Sequence, residues 1–304
     1  QTKIISKLFP DDITLVAEST ENSMVLFASV NKNEVWGYKY YTQGEQRIQS
    51  AWFRWELPGT VTFHCMMDDV YYAILKNGSV YTLQSFDIKK ATDTLTVGTA
   101  PDEFLIHLDT KTEISSGSLT YNATTNKTTM TKPTGYDNSG QLAVFCKTAG
   151  DNVGKFSKAT VNGSNLEWTG DWSSLDIVLG YLYEMEVELP TIFIQQSDGQ
   201  QIKSETRGSL IVHRLNFSFG AVGLIDVTLK RKGRADYNKT YESIDWDSYI
   251  ANTLSISEDF IHTIPVYERN TNLSIHLNST HPAPATLNSM TWEGDYNPKF
   301  YKRV

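Results

Sequence analysis

The chain has 304 residues, 40% hydrophobic and 20% charged, enough for one large or two to three modest domains with a genuine core. A formal net charge of −8 repels nucleic acid rather than holding its phosphates, and no run of 18 apolar residues supplies a transmembrane helix. Aromatic side chains make up 12%, sixteen of them tyrosines, a bias that fits pleated, half-buried strands better than helices.

The first stretch, "QTKIISKLFPDD", has neither the apolar centre of a signal peptide nor an initiator Met, so the chain is expected to begin inside a longer protein. A repeat follows. "VLFASVNKNEVWGYKYY" (25–41) aligns with "VYYAILKNGSVYTLQSF" (70–86) at an offset of 45, matching Val25 with Val70, Ala28 with Ala73, Val35 with Val80 and Trp36 with Tyr81. Each copy reads as strand, tight turn and strand, with "KNGS" a strong hairpin signal. A period near 45 with several strands per unit is the mark of a β-propeller blade, although a single four-stranded meander fits the same pattern. Two blades cannot close a ring, which again implies a longer protein.

From about Ile88 to Gly170 the composition turns to Thr, Asn, Ser and Gly, with short apolar runs such as "EFLIHL" and "QLAVFC"; this reads as an inserted or distal β-module. Cys65 and Cys146 show no partner spacing and are expected as free buried thiols. The sequons at Asn122, Asn126, Asn216 and Asn272 are expected by chance in an Asn- and Thr-rich chain, and Asn216 falls inside an apolar strand pattern. Helical signals are confined to parts of 171–182 ("DWSSLDIVLGYL") and 245–254 ("DWDSYIANTL"), the latter opening on Asp245 or Asp247 as a cap.

The last region has the clearest periodicity. In "YLYEMEVELP" (181–190), Tyr181, Tyr183, Met185, Val187 and Leu189 alternate with a second set containing Glu184, Glu186 and Glu188, which predicts one strand with an acidic face. "LNFSF", "IDVTLK" and "NLSIHLN" alternate likewise, as in an antiparallel sheet with one wet face. The tail "TWEGDYNPKFYKRV" (291–304) is predicted as an ordered final strand with Trp292 in the sheet. Pro298 belongs at its edge or at a bend.

Chemistry is sparse. The six histidines lack metal-ligand spacing, no phosphate loop or nucleophile motif occurs, and neither a metal nor a cofactor is expected. Catalysis would have to use carboxylate pairs, which a glycosidase holds roughly 5 to 9 Å apart. Asp68 with Asp69, or Asp245 with Asp247, are the candidates. The basic cluster "LKRKGR", with Lys230, Arg231, Lys232 and Arg234, suits either an acidic partner surface or a solvated hairpin end that blunts a sheet edge.

The segments "GYLYEMEVELPTIFI", "GSLIVHRLNFSFGAVGLIDVTLKRKGR" and "IPVYERNTNLSIHLNSTHPAPATLNSMTWEGDYNPKFYKRV" occur in one order over 177–304. Together they resemble the end of the tail tubular protein B (tail nozzle) family of T7-like short-tailed bacteriophages. The blade-like repeat agrees, because that family carries a β-propeller. The resemblance implies a mainly-β chain in three parts: propeller-like blades over 1–87, a small β-module over 88–176 and an antiparallel β platform over 177–304. It also implies a non-enzymatic virion protein, made in the bacterial host cytoplasm, that forms a hexameric ring beneath the tail adaptor ring (tail tubular protein A) and lets genomic DNA pass without tight binding. Tail fibres and a preceding N-terminal half of the same protein would be further partners.

Under this reading Glu184, Glu186 and Glu188 form a lumen or inter-subunit acidic strip. Lys230, Arg231, Lys232, Arg234, Trp292, Tyr296, Phe300 and Tyr301 supply subunit contacts. A polysaccharide-degrading virion enzyme or a carbohydrate-binding module is the alternative.

Overall fold

The computed structural model describes residues 9–44, 46–88, 96–97, 104–148, 152, 154–197, 202–206, 208–242 and 260–298. The expected helix at 245–254, with Asp245 and Asp247, and the tail residues Phe300 and Tyr301 lie outside these. The chain forms two compact units, 1–93 and 94–304. The described residues are nearly all β, with two single-turn 3-10 helices at Ser116–Ser118 and Asn270–Asn272.

In the first unit β1 (Leu15–Ser19), β2 (Met24–Ala28), β3 (Glu34–Gln43) and β4 (Gln46–Glu56) form an antiparallel meander in chain order, and β5 (Thr60–Met67), β6 (Val70–Asn77) and β7 (Val80–Asp87) form a second. Period-two alternation gives each sheet one apolar face. Leu26, Ala28 and Val35 of the first join Tyr71, Ala73 and Leu75 of the second in one buried core. Trp55 closes it edge-on against Tyr71 and Phe86. On the opposite face of the first meander, Phe9 packs edge-on against Phe27, Trp36 and Trp52.

Both repeat copies form hairpins, but the hairpins differ. β6 and β7 are joined by Gly78–Ser79, with Gly78 at φ 61°, the two-residue turn that the sequence predicts. β2 and β3 are instead joined by the five residues 29–33, with Asn31 in the left-handed region, so the tight turn expected in the first copy is absent. The pairing shifts accordingly. Val35 lies opposite Ala28, whereas Val80 lies opposite Asn77 at the hairpin tip.

The second unit begins with the short pair β8 (Thr96–Val97) and β9 (Phe104–Leu105). β10 (Asp109–Ile114), β11 (Thr120–Asn122), β12 (Lys127–Thr131), β13 (Leu142–Cys146), β14 (Phe156–Asn162), β15 (Asn165–Thr169) and β16 (Ile177–Tyr181) then build a seven-stranded antiparallel sheet in the order β10-β16-β13-β14-β15-β12-β11. β13 is buried throughout. Leu142, Val144 and Cys146 enter one core with Trp168 and Trp172, and Ala143 and Phe145 enter another with Ile106 and Val178. Cys146 is thus the buried free thiol expected, and Cys65 is free but half-buried. The helix predicted over 171–182 does not form. The Asp171 carboxylate accepts the Ser173 backbone N–H (3.0 Å) and hydroxyl (2.7 Å), which fixes a turn, and β16 follows directly.

Beyond it come β17 (Met185–Leu189), β18 (Gln195–Ser197), β19 (Ile202–Ser204), β20 (Ser209–Val222), β21 (Leu224–Arg231), β22 (Tyr237–Glu242), β23 (Phe260–Arg269), β24 (Leu273–Ser279) and β25 (Ala285–Asn297). The predicted single strand over 181–190 is two strands of different sheets, since Tyr181 ends β16 and Met185 opens β17. A four-stranded sheet, β17-β24-β21-β22, and a three-stranded sheet, β23-β20-β25, share one core of Val212, Leu215, Phe217, Val227, Ile264 and Leu277 with their neighbours. The chain crosses from β20 to β21 through Gly223 alone, and a Cβ there would meet the Ala283 Cβ at 2.2 Å. Asn216, inside β20, accepts a hydrogen bond from the Thr263 hydroxyl at 2.7 Å.

Candidate interaction surfaces

The glutamate row lies on an edge. β17 pairs only with β24 among the described residues, which makes it an outer strand of its sheet there. Alternation turns Met185 and Leu189 to the core and leaves Glu184, Glu186 and Glu188 exposed. The outward set of β24 hydrogen-bonds two of the carboxylates and lies near the third. Asn278 donates to Glu184, the Ser274 hydroxyl donates to Glu188 at 3.2 Å, and the His276 ring lies 3.7 Å from Glu186. The two hydrogen bonds hold Glu184 and Glu188 in place on the outward side of the sheet. Alternation in "NLSIHLN" already separates Ser274, His276 and Asn278 from Leu273, Ile275 and Leu277. It does not reveal that their strand lies beside the glutamates.

The basic cluster divides. Arg231 donates to the Ala235 carbonyl at 2.9 Å, and Arg234 reaches Glu268 at 3.6 Å. The Glu268 carboxyl is held below the usual carboxylate range, first by the Arg269 backbone N–H and then by Asn272 and the two arginines. Arg234 thus reaches from the β21–β22 hairpin to the end of β23, while Arg231 bonds within the hairpin. Lys230 and Lys232 are exposed.

Within the described residues the tail forms the predicted strand as far as Asn297, and Pro298 follows its last strand residue. Trp292 and Tyr296 are half-buried against this chain's own core. Tyr296 lies flat over Gly208, where a Cβ would meet the ring at 2.2 Å. A Cβ at Gly294 would meet the Ile211 carbonyl oxygen at 2.2 Å, so β25 approaches β20 closely only because that residue is glycine. The remaining carboxylate candidates, Asp68 and Asp69, are the two central residues of the β5–β6 turn, with Asp68 at φ 52° and Asp69 accepting from the Asn22 amide at 3.1 Å. That is turn chemistry.

A shallow cleft of about 410 Å³ lies in the first unit, lined by Asn31, Asn33, Leu57, Pro58, Gly59, Thr60, Lys76, Asn77 and Gly78. Its one titratable lining side chain is Lys76, so it holds no carboxylate pair of the kind a glycosidase uses. Among the described residues no group of three or more His, Cys, Asp and Glu side chains is placed to hold a metal ion.

The bacteriophage nozzle protein family model matches residues 1–303. The chain belongs to that family. Nozzle proteins are structural components of the phage tail, so this chain is a structural virion protein of the tail. No curated protein matches it. Solved structures of exo-β-1,3-galactanase from Phanerochaete chrysosporium align over 93% of the chain at 8% identity with TM-scores of 0.22 (bound to β-1,3-galactotriose) and 0.20 (bound to galactose). The nozzle chain spans 57% of their length. At such TM-scores the likeness carries no argument about fold or activity.

Proposed function

We propose that this nozzle protein is a ring-forming segment of the tail conduit through which the genome leaves the virion, of the tail tubular protein B kind. In this reading its first unit contributes propeller-like blades, 88–176 a separate β-module and 177–304 the platform, in six copies beneath the adaptor ring. The observation that carries it is the family match over essentially the whole chain, joined to a net charge of −8. A conduit wall rich in Lys and Arg would release counterions at each phosphate and retain the duplex. A wall of carboxylates lets the duplex slide, and screening confines the repulsion to about 8–10 Å, the scale of a gap between duplex and wall. Glu184, Glu186 and Glu188 supply acidic wall or contact residues, with Lys230 and Lys232 as complementary groups. Trp292 and Tyr296, with Phe300 and Tyr301 beyond them, are the aromatic anchors of the platform.

Native mass spectrometry and particle imaging of the purified protein test the proposal. Closed rings that fail to retain double-stranded DNA at about 0.15 M salt are expected. A monomer at every soluble concentration, or tight DNA retention, would contradict it.

A further inference from the structure

Among the described residues the outer strands of the four-stranded sheet are β17 and β22. Among the described residues β17 pairs only with β24, and β22 pairs only with β21. We propose that β17 of one copy pairs antiparallel with β22 of the next, so that this sheet continues from subunit to subunit; the inference rests on the ring reading above and specifies its contact.

Three observations carry it. The first is strand sense. All three pairings inside the sheet are antiparallel, so β17 and β22 run in opposite directions, and copies placed head to tail meet through an antiparallel junction. The lengths also match, at five and six residues.

The second is side-chain chemistry along rows that cross the sheet. One row runs Leu189–Ile275–Leu229–Tyr237, the next on the same face Val187–Leu277–Val227–Lys239, and between them on the other face lies Glu188–His276–Thr228–Asn238. Continued into the next copy, these rows set Leu189 beside Tyr237, Val187 beside the Lys239 stem and Glu188 beside the Asn238 amide. Each is a favourable cross-strand pair. Val187 is 39% exposed although its neighbours Met185 and Leu189 pack on the core, which is what an uncovered apolar edge position looks like.

The third is charge. Glu186 and Glu188 lie in β17 and Glu184 immediately precedes it, while the β21–β22 hairpin exposes Lys230, Lys232, Arg234 and Lys239, with Asp236 opposing them. Two β17 edges meeting each other would crowd six carboxylates. This disfavours a two-fold contact and favours a heterologous one, the kind that forms a ring where the rotation between copies closes.

The test uses the full chain carrying either Val187→Cys or Lys239→Cys under mild oxidation, with cross-linked peptides mapped by mass spectrometry. Mixing the two variants should give the 187–239 disulfide between chains, and neither variant alone should link through its new cysteine. Self-linking of Val187→Cys overturns the proposal in favour of a two-fold contact. If the unmodified protein forms rings but no 187–239 link appears, the edge assignment fails and the ring reading stands; if it forms no rings, both fail. Should a cysteine variant not fold, Glu186→Lys with Glu188→Lys provides the second measurement. That double change should abolish ring formation in native mass spectra, and Asn238→Glu with Thr240→Glu in a mixed partner, the positions that continue the Glu188 and Glu186 rows, should restore it. Rings unaffected by the double reversal overturn the proposal.

Discussion

The two hairpins of the first unit contain the same number of residues between their matched valines, yet one is covered and the other bare. Val35 and Trp36 are 0% and 7% exposed, while Val80 and Tyr81 are 61% and 58% exposed. The difference begins in the turn. "NKNE" opens into a five-residue loop, so β3 pairs with the body of β2. "KNGS" closes on two residues, so the valine that aligns in sequence ends up at the tip. The outer flank completes it: β3 is paired on its far side by β4, whereas β7 has β6 as its one partner among the described residues. Similar strand sequences therefore specify hairpins, while turn length and neighbours decide which positions become core.

The sharpest test of this contrast truncates the matched aromatics. Trp36→Ala removes a ring packed on Phe9 and under the Arg54 guanidinium and should cost about 3–5 kcal/mol. Tyr81→Ala, whose ring meets the Lys76 ammonium at 5.8 Å, should stay within about 0.5 kcal/mol. Chemical denaturation of the two variants reads both, and equal losses would break the comparison. A smaller effect tests where the copies do agree. Ala28 and Ala73 are matched in sequence and both buried in the shared core, so Ala28→Leu and Ala73→Leu should each cost about 1–3 kcal/mol by overpacking. Additivity in the double variant would show that the two sites do not share space.

The smallest expected effect is on pH dependence, and it belongs to the second copy's sheet alone. His64 on β5 is buried, its Nδ1 3.2 Å from the Tyr71 hydroxyl. Burial lowers its pKa against the opposing Leu15 carbonyl. A histidine depressed on folding contributes stability that is present above its unfolded value, about 6.5, and is lost as pH falls below it. Melting temperatures measured from pH 7.5 to pH 5 should therefore fall more for the natural protein than for His64→Gln; parallel curves would remove His64 from the account.

Much of the fold was legible in the sequence wherever one face of a strand is wet. β17, β21 and β24 alternate cleanly because each turns one side to solvent. Legibility failed where both faces are buried. "DIVLGY" is a continuous apolar run, and such a run does not separate a buried strand from a helix; the Asx turn at Asp171 was the missed cue. The break between Tyr181 and Met185 was hidden because both sides of it follow the same alternation. For the surfaces, the acidic row was visible as a row. Its residence on a sheet edge beside Ser274, His276 and Asn278 depends on a pairing nearly ninety positions away in the chain, which no local pattern encodes. The basic cluster reads in sequence as suiting either an acidic partner surface or a solvated hairpin end, and no local pattern shows that Glu268, 34 positions on, lies beside Arg234.

The single-residue passage at Gly223 has a mechanical consequence. β20 and β21 are one length of backbone bent across two layers, with Ala283 filling the inside of the bend. A pull along either strand reaches the other sheet through covalent bonds with no loop to take up slack, so the layers cannot shear past one another without first dislodging Ala283. In the conduit proposed above, stiffness would thus be set by chain connectivity, and a second residue inserted after Gly223 would soften this pair of sheets while leaving its strands intact.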